Sequence, residues 1–208
     1  MIVDVKFLIM ARDKPIPADH GYLLSSALTK VLETIHSMEG IGIHPITGIQ
    51  TGERGLLLTE ASSLTIRIDA ERIAEILPLA GKTISLAGTN IQIGVPSIHV
   101  LTGVSVLRSR LVTIKGFMDE EEFRKSLRCH LDKMGVSETV KIEIVKRRTL
   151  KIHDKNVVGF EVILSNLSEG GSLRIQEEGL GGRRKMGCGI FLPWRSGLSG
   201  ESSSRKGG

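Results

Sequence analysis

Gly179-Leu180-Gly181-Gly182-Arg183-Arg184-Lys185-Met186-Gly187-Cys188-Gly189 is the stretch around which the chain is organised. Two Gly-x-Gly units bracket three consecutive cations, and a strand-like run, Cys188 to Pro193, follows directly. Glycine lacks a Cβ, so it accepts positive φ and lets a phosphate approach backbone N–H groups. Arg183, Arg184 and Lys185 place fixed charge at the same point, and arginine holds phosphate bidentately. The ordinary alternative is a solvated glycine turn with surface charge. Two units flanking a basic triplet point instead to an anion cradle, shaped by Gly179, Gly181, Gly187 and Gly189, with a polyanion as guest. No Gly-Lys-Ser/Thr closes the loop, which sets the Walker pattern aside. A dinucleotide fingerprint follows a first strand and opens a helix, whereas this loop comes late and runs into a strand.

Working outward, the C-terminal half alternates strands and helices. Val104–Lys115 reads as a strand. Asp119–Met134 reads as a helix, with Phe123, Leu127 and Leu131 on one side and acidic residues in the first turn, where they suit the helix dipole. Val140–Val145 and Val157–Leu164 read as strands joined by the basic segment Lys146–Asn156. A short helix over Leu167–Glu178, the glycine loop and a strand over Cys188–Leu192 complete β-α-β-β-α-β. The N-terminal half has the same grammar. Ile2–Met10 alternates as a strand, and apolar residues from Tyr22 to His36 recur at helical spacing. Leu56–Leu58 is a possible short strand, and Leu64, Ile66 and Ile68 alternate as another. Ala70–Ala80 predicts a second helix, and Thr83–Leu86 with Ile91–Val95 a hairpin. The expected fold is therefore α+β, two tandem ferredoxin-like (RRM-like) βαββαβ domains over 1–103 and 104–194. A Gly/Ser-rich tail, 195–208, is expected to be disordered.

Charge is divided as unevenly as the motifs. Residues 1–103 hold 8 Lys+Arg and 10 Asp+Glu, whereas 104–208 hold 20 and 13, so a near-neutral first half precedes a second half of net +7. Such an imbalance fits an electrostatic footprint for nucleic acid. Aromatic residues make up only 3%, so stacking platforms for unpaired bases are scarce, and RNA would be held by phosphate, shape and arginine contacts. No apolar run approaches the ~18 residues of a membrane span. Asp4 and Lys6 break the N-terminal apolar stretch, which argues against a signal peptide. Cys129 and Cys188 are expected as free thiols in a reducing compartment, and the location expected is cytoplasmic.

Gly-hydrophobic-Gly, five residues, Gly-hydrophobic-Gly resembles the glycine-rich loop of the repeat-associated RNA-binding (RAMP) superfamily of CRISPR proteins. Within it, the stretch is most similar to the repeat-specific endoribonucleases, the sixth CRISPR-associated family. The resemblance implies the same tandem ferredoxin-like architecture. It also implies precursor CRISPR RNA as substrate, with attack of a 2′-OH on the adjacent phosphate to leave a 2′,3′-cyclic phosphate and a 5′-OH. The product guide RNA and other subunits of an interference complex would be its partners.

Cutting RNA without a metal needs a base for the 2′-OH, an acid for the 5′-oxygen and positive charge on the phosphorane. Histidine suits the first two roles. Of the six, His20, His36, His44, His99, His130 and His153, His36 is favoured. It ends the first helix, where the dipole favours a proton, and Ser37 and glycines follow. The resemblance places the family's acid/base histidine on it as well, in Ile35-His36 with Gly40 soon after. Capping of the last turn is the structural alternative. His44, in Ile43-His44-Pro45, is a candidate second member of the pair, and Ser37 a candidate phosphate contact. Residues 37–53 contain no lysine, so the charge on the phosphorane is expected from Arg54 or from the second half. Lys146, Arg147 and Arg148 are expected to brace an RNA stem, with a solvated turn as the alternative. No metal-ligand spacing and no cofactor motif occurs. A non-catalytic RNA-binding subunit of the same superfamily is the second reading; a ferredoxin-like regulatory domain is the third.

Overall fold

The computed structural model describes residues 1–11, 15–52 and 54–195. β1 (Ile2–Ala11) sends Val3, Val5, Phe7 and Ile9 inward while Leu8 and Met10 stay exposed, as period-two alternation requires. After β2 (Ile16–Pro17), α1 (Gly21–Val31) buries Leu24, Ala27 and Leu28 along one stripe. The helix expected to run through His36 breaks at Leu32, which is extended (φ −141°, ψ 90°), and resumes as α2 (Thr34–Ser37). Thr29, Val31, Thr34 and Ile35 are β-branched and lose χ1 freedom in a helix, which weakens the continuous form. β3 (Gly42–Ile43), β4 (Ile49–Thr51), β5 (Gly55–Leu57) and β6 (Ser63–Asp69) follow.

The helix expected over 70–80 is instead two 3₁₀ turns, Ala70–Glu75 and Leu77–Leu79. Pro78 cannot donate into an α-helical ladder and clashes with the preceding turn, so no α-helix propagates. Ile76 and Leu79 still reach the core. β7 (Thr83–Leu86) and β8 (Thr89–Val100) form the expected hairpin. The first sheet runs β3-β6-β1-β8-β7, and its neighbours pair antiparallel. A small three-stranded sheet, β2-β5-β4, lies beside it.

β9 (Val106–Val112) opens the second unit. α3 (Glu120–Lys133) is capped by Asp119, whose carboxylate accepts from Glu121 N and Glu122 N, and it buries Phe123, Leu127 and Leu131. β10 (Lys141–Ile152) and β11 (Lys155–Ser165) are joined by only His153 and Asp154, with His153 left-handed at φ 50°. The basic segment read as a connection is therefore strand. β10 is an edge of the sheet, where outward cations are tolerated and also discourage pairing with another chain. α4 (Glu169–Glu178) is capped by Ser168 Oγ. The expected last strand is reduced to β12 (Leu192–Pro193), because Gly187 and Gly189 take positive φ (79° and 66°) and turn the chain inward.

In strand order the second sheet is β10-β11-β9-β12, and the corresponding strands of the first are β3-β6-β1-β8. Both follow the order second-third-first-fourth of a βαββαβ unit, so the chain folds as two ferredoxin-like units in tandem. Each has its own apolar core, one built from Val3 to Ile93 and one from Leu107 to Phe191. Segment 196–208, expected to be disordered, lies outside the described residues. Among those described, no helix is long and apolar enough to cross a membrane.

Candidate active site at the junction of the two units

The glycine loop leaves α4 at Gly179 and folds back on its own backbone. Leu180 N donates to Gly189 O, Gly182 N to Thr113 O and Gly189 N to Leu111 O, at 3.1, 2.9 and 2.7 Å. A Cβ on Gly181 would sit 2.4 Å from Thr113 O, and one on Gly189 2.2 Å from Leu180 O. Both residues also have positive φ. These glycines thus let backbone pack against backbone, and the loop's N–H groups named above are spent on the loop itself and on β9 and its exit. The second half of the loop seats on the N-terminal unit. A Cβ on Gly187 would meet Pro45 Cγ at 2.7 Å.

The basic triplet divides into three environments. Arg183 is exposed, with a left-handed backbone (φ 64°). Arg184 turns inward and donates from Nη2 to Glu177 O at 2.8 Å; burial, then the nearby Arg67, lowers its pKa. Lys185 reaches across the junction, its Nζ donating to His36 O at 2.6 Å, and partial burial lowers its pKa. His36 itself is exposed on α2, and Ser37 Oγ donates to Thr34 O at 3.0 Å. The lysine that the local sequence around His36 lacks is supplied from 149 residues away.

His44 lies elsewhere. It is 6% exposed, and its Nε2 sits 3.3 Å from Asp4 Oδ1. Arg67, fully buried, grips the same carboxylate through Nε and Nη2, both at 2.8 Å. Its Nη1 also donates to Gln176 O at 2.8 Å and to Phe191 O at 3.0 Å. Burial alone would raise the Asp4 pKa; the bonds from Arg67 and the nearness of His44 outweigh it and hold the carboxyl far below the usual range. Burial lowers the His44 pKa despite Asp4, so the imidazole is neutral near pH 7. The fold therefore does not bring His44 to the exposed surface that carries His36.

The remaining histidines sort by partner. His20 is buried, donating from Nδ1 to Pro17 O and accepting from Ile46 N at Nε2, both at 2.9 Å. His153, at the tip of the β10–β11 hairpin, meets the chain's one tyrosine, Tyr22, with Nε2 2.6 Å from its hydroxyl. Asp19, in the segment leading into α1, accepts from Lys151 N at 2.9 Å, a second tie between the hairpin and the N-terminal unit. His130 bonds Ser126 O within α3, and His99 bonds Ser97. On β10, Lys146 and Arg147 are exposed. Arg148 instead donates to the buried carboxylate of Glu161, which Arg108 holds from its other oxygen. Burial raises the Glu161 pKa and the two arginines lower it further than that. Trp194 stacks on Arg108, 4.1 Å from guanidinium carbon to ring centroid.

Sequence reasoning missed the Asp4–Arg67 pair, the Tyr22–His153 contact and the Arg108–Glu161–Arg148 group. One signal was available for the first. Asp4 and Arg67 interrupt two apolar strands that pair in register, Asp4 opposite Arg67, and opposite charges facing each other across strands stabilise the pairing.

The Cas6 Crispr family model matches residues 3–196. The chain is 40% identical over 193 residues, 93% of its length and 83% of the relative's, to a CRISPR-associated endonuclease Cas6 of Myxococcus xanthus (strain DK1622). A solved CRISPR associated protein Cas6 aligns with a TM-score of 0.72 at 13% identity, covering 94% of this chain and 100% of that one. A Cas6-related protein from Pyrococcus furiosus aligns at 0.66 and 17% identity, over 92% and 98% of the two chains. At those identities the likeness speaks for the fold, and it is the ferredoxin-like fold derived above from strand order. By the family model and the relative from Myxococcus, the chain belongs to the Cas6 family of CRISPR-associated endonucleases.

Proposed function

We propose that the protein is a metal-independent endoribonuclease that binds precursor CRISPR RNA and cuts it within the repeat, with His36 as its acid–base residue. The observation that carries this reading is the contact of Lys185 Nζ with His36 O at 2.6 Å. It sets an ammonium on the backbone carbonyl of a residue whose side chain is exposed, across the junction of two units. The 2′-OH loses its proton and its oxygen attacks the adjacent phosphorus. The bond from phosphorus to the 5′-oxygen breaks, and that oxygen takes up a proton. His36 exchanges one of these protons, and Lys185 offsets the charge on the phosphorane. Products are a 2′,3′-cyclic phosphate and a 5′-OH. Ser37 would have to release Thr34 O to donate to a phosphate, since phosphate oxygens only accept. His44, sealed against Asp4, belongs to the clamp between the units. Arg183, Lys146 and Arg147, exposed on the C-terminal unit, hold the RNA backbone. We assign residues 1–103 to the unit bearing His36 and 104–194 to the RNA-gripping unit. The mature guide RNA stays bound, and the complex joins other subunits of an interference assembly.

The test is cleavage of labelled repeat RNA in excess EDTA, beside the same RNA with 2′-deoxyribose at the cut and beside His36→Ala. Cleavage of the ribose substrate alone, with His36→Ala binding but not cutting, is expected. Loss of activity in EDTA, or cleavage of the deoxy substrate, would remove the 2′-OH mechanism. Tight binding without any cleavage would leave an RNA-binding subunit.

A further inference from the structure

A cleft of about 500 Å³ opens beside the first half of the glycine loop, away from the half that seats on the N-terminal unit. Its walls come from three segments distant in sequence: the exit of β9 at Lys115, the end of α3 at His130 and Lys133, and the loop up to Arg183. Lys115, Lys133 and Arg183 are exposed. Glu178 is the one carboxylate lining the cleft. Arg67, Arg72, Arg108, Arg124 and Arg148 each have a carboxylate within 4 Å. Among the described residues Lys115, Lys133 and Arg183 form no such pair. Gathering unpaired cations in a concavity costs repulsion, and low-dielectric walls concentrate their field. His130 is oriented by its Nδ1 bond to Ser126 O, so Nε2 remains for a ligand.

We infer that this cleft is a second phosphate-binding site, which holds the RNA backbone at a point separate from the bond being cut. The inference rests on the RNA-binding reading above. The two halves of the glycine loop then serve different ends: residues 184–190 assemble the junction beside His36, and 179–183 form a wall of the backbone site. Arg183, the exposed member of the basic triplet, falls on the backbone site.

Salt dependence tests it. Each phosphate neutralised contributes about 0.7–0.9 to the slope of log K against log salt. The double variant Lys115→Ala/Lys133→Ala should therefore lower the slope for repeat RNA by about 1.4–1.8 relative to the parent. Lys82→Ala/Lys141→Ala removes the same charge from other surfaces and should leave the slope within about 0.3 on the same counting. A cleft variant with the parent's slope and affinity, or a control variant with an equal drop, would overturn the second site while leaving the RNA-binding reading intact. A parent protein that binds no RNA would remove that reading too. Thermal melts of both variants establish that any change comes from folded protein.

Discussion

Arg67→Met is the perturbation that tests the junction most sharply. Arg67 is wholly buried and bonds Asp4 twice, and it also bonds Gln176 O and Phe191 O, the residues that flank the glycine loop. One side chain of the N-terminal unit thus holds both stems of the loop that delivers Lys185 to His36. Methionine matches much of the volume and supplies no donor. Asp4 is left with a carboxylate that has lost its main partner, and two buried carbonyls lose theirs. Removing one member of a buried ion pair costs about 3–5 kcal/mol. Asp4 keeps 17% side-chain exposure, so water recovers part of the loss and the expectation is about 3 kcal/mol. For a chain of 208 residues that corresponds to a fall in Tm of roughly 6–12 °C. Urea unfolding at pH 7 measures it, and single-turnover cleavage should fall in parallel because the loop stems are no longer tied. The double variant Asp4→Asn/Arg67→Met should recover at least ~1 kcal/mol of the single-variant loss, since the stranded charge is gone. A loss below about 1 kcal/mol, with no recovery in the double variant, would refute the clamp.

Further outcomes follow from the same geometry. Lys185→Ala should lower the single-turnover cleavage rate by about 10²–10³, the scale of one lost transition-state donor, with Lys185→Arg restoring part; a change under threefold at saturating RNA would exclude Lys185 from the phosphorane. Burial depresses the pKa of both His20 and His44, so the unfolded chain binds more protons than the folded one once pH drops below the ordinary histidine value near 6.5. Stability is therefore complete above that pH and declines as pH falls toward 5. His44→Asn should flatten the decline in urea midpoints, and an unchanged pH profile would contradict the assignment. Gly181→Ala places a Cβ 2.4 Å from Thr113 O at φ 80° and should destabilise by more than about 1 kcal/mol, whereas Gly182→Ala has nothing within 4 Å and should be nearly neutral. Equal melts for the two would remove the packing role of the loop glycines.

Much of the fold was legible from local pattern. Period-two alternation located β1 and β6, and helical spacing behind an acidic first turn located α3, because burial of one face and favourable charge at a helix N-terminus are short-range demands. The order of elements then admitted the ferredoxin-like topology that both sheets adopt. The misses were local conflicts resolved by context: Pro78 turned an apolar helical pattern into 3₁₀ turns, and pairing with β11 drew Lys146–Ile152 into a strand that its charges did not advertise. At the candidate site the sequence by itself named residue types: His36 after a helix, a basic triplet among glycines, His44 in an apolar turn. Which of these stand together was decided by tertiary structure. Lys185 meets His36, Arg184 and Arg148 turn to internal acceptors, and His44 is closed in with Asp4. The contact across 149 residues leaves no trace in local spacing, and the one across 63 shows only as a charge interrupting each of two apolar strands. The first arises only where the two units pack together and the second only where β1 and β6 pair in register, and buried charge is retained only where it finds a partner.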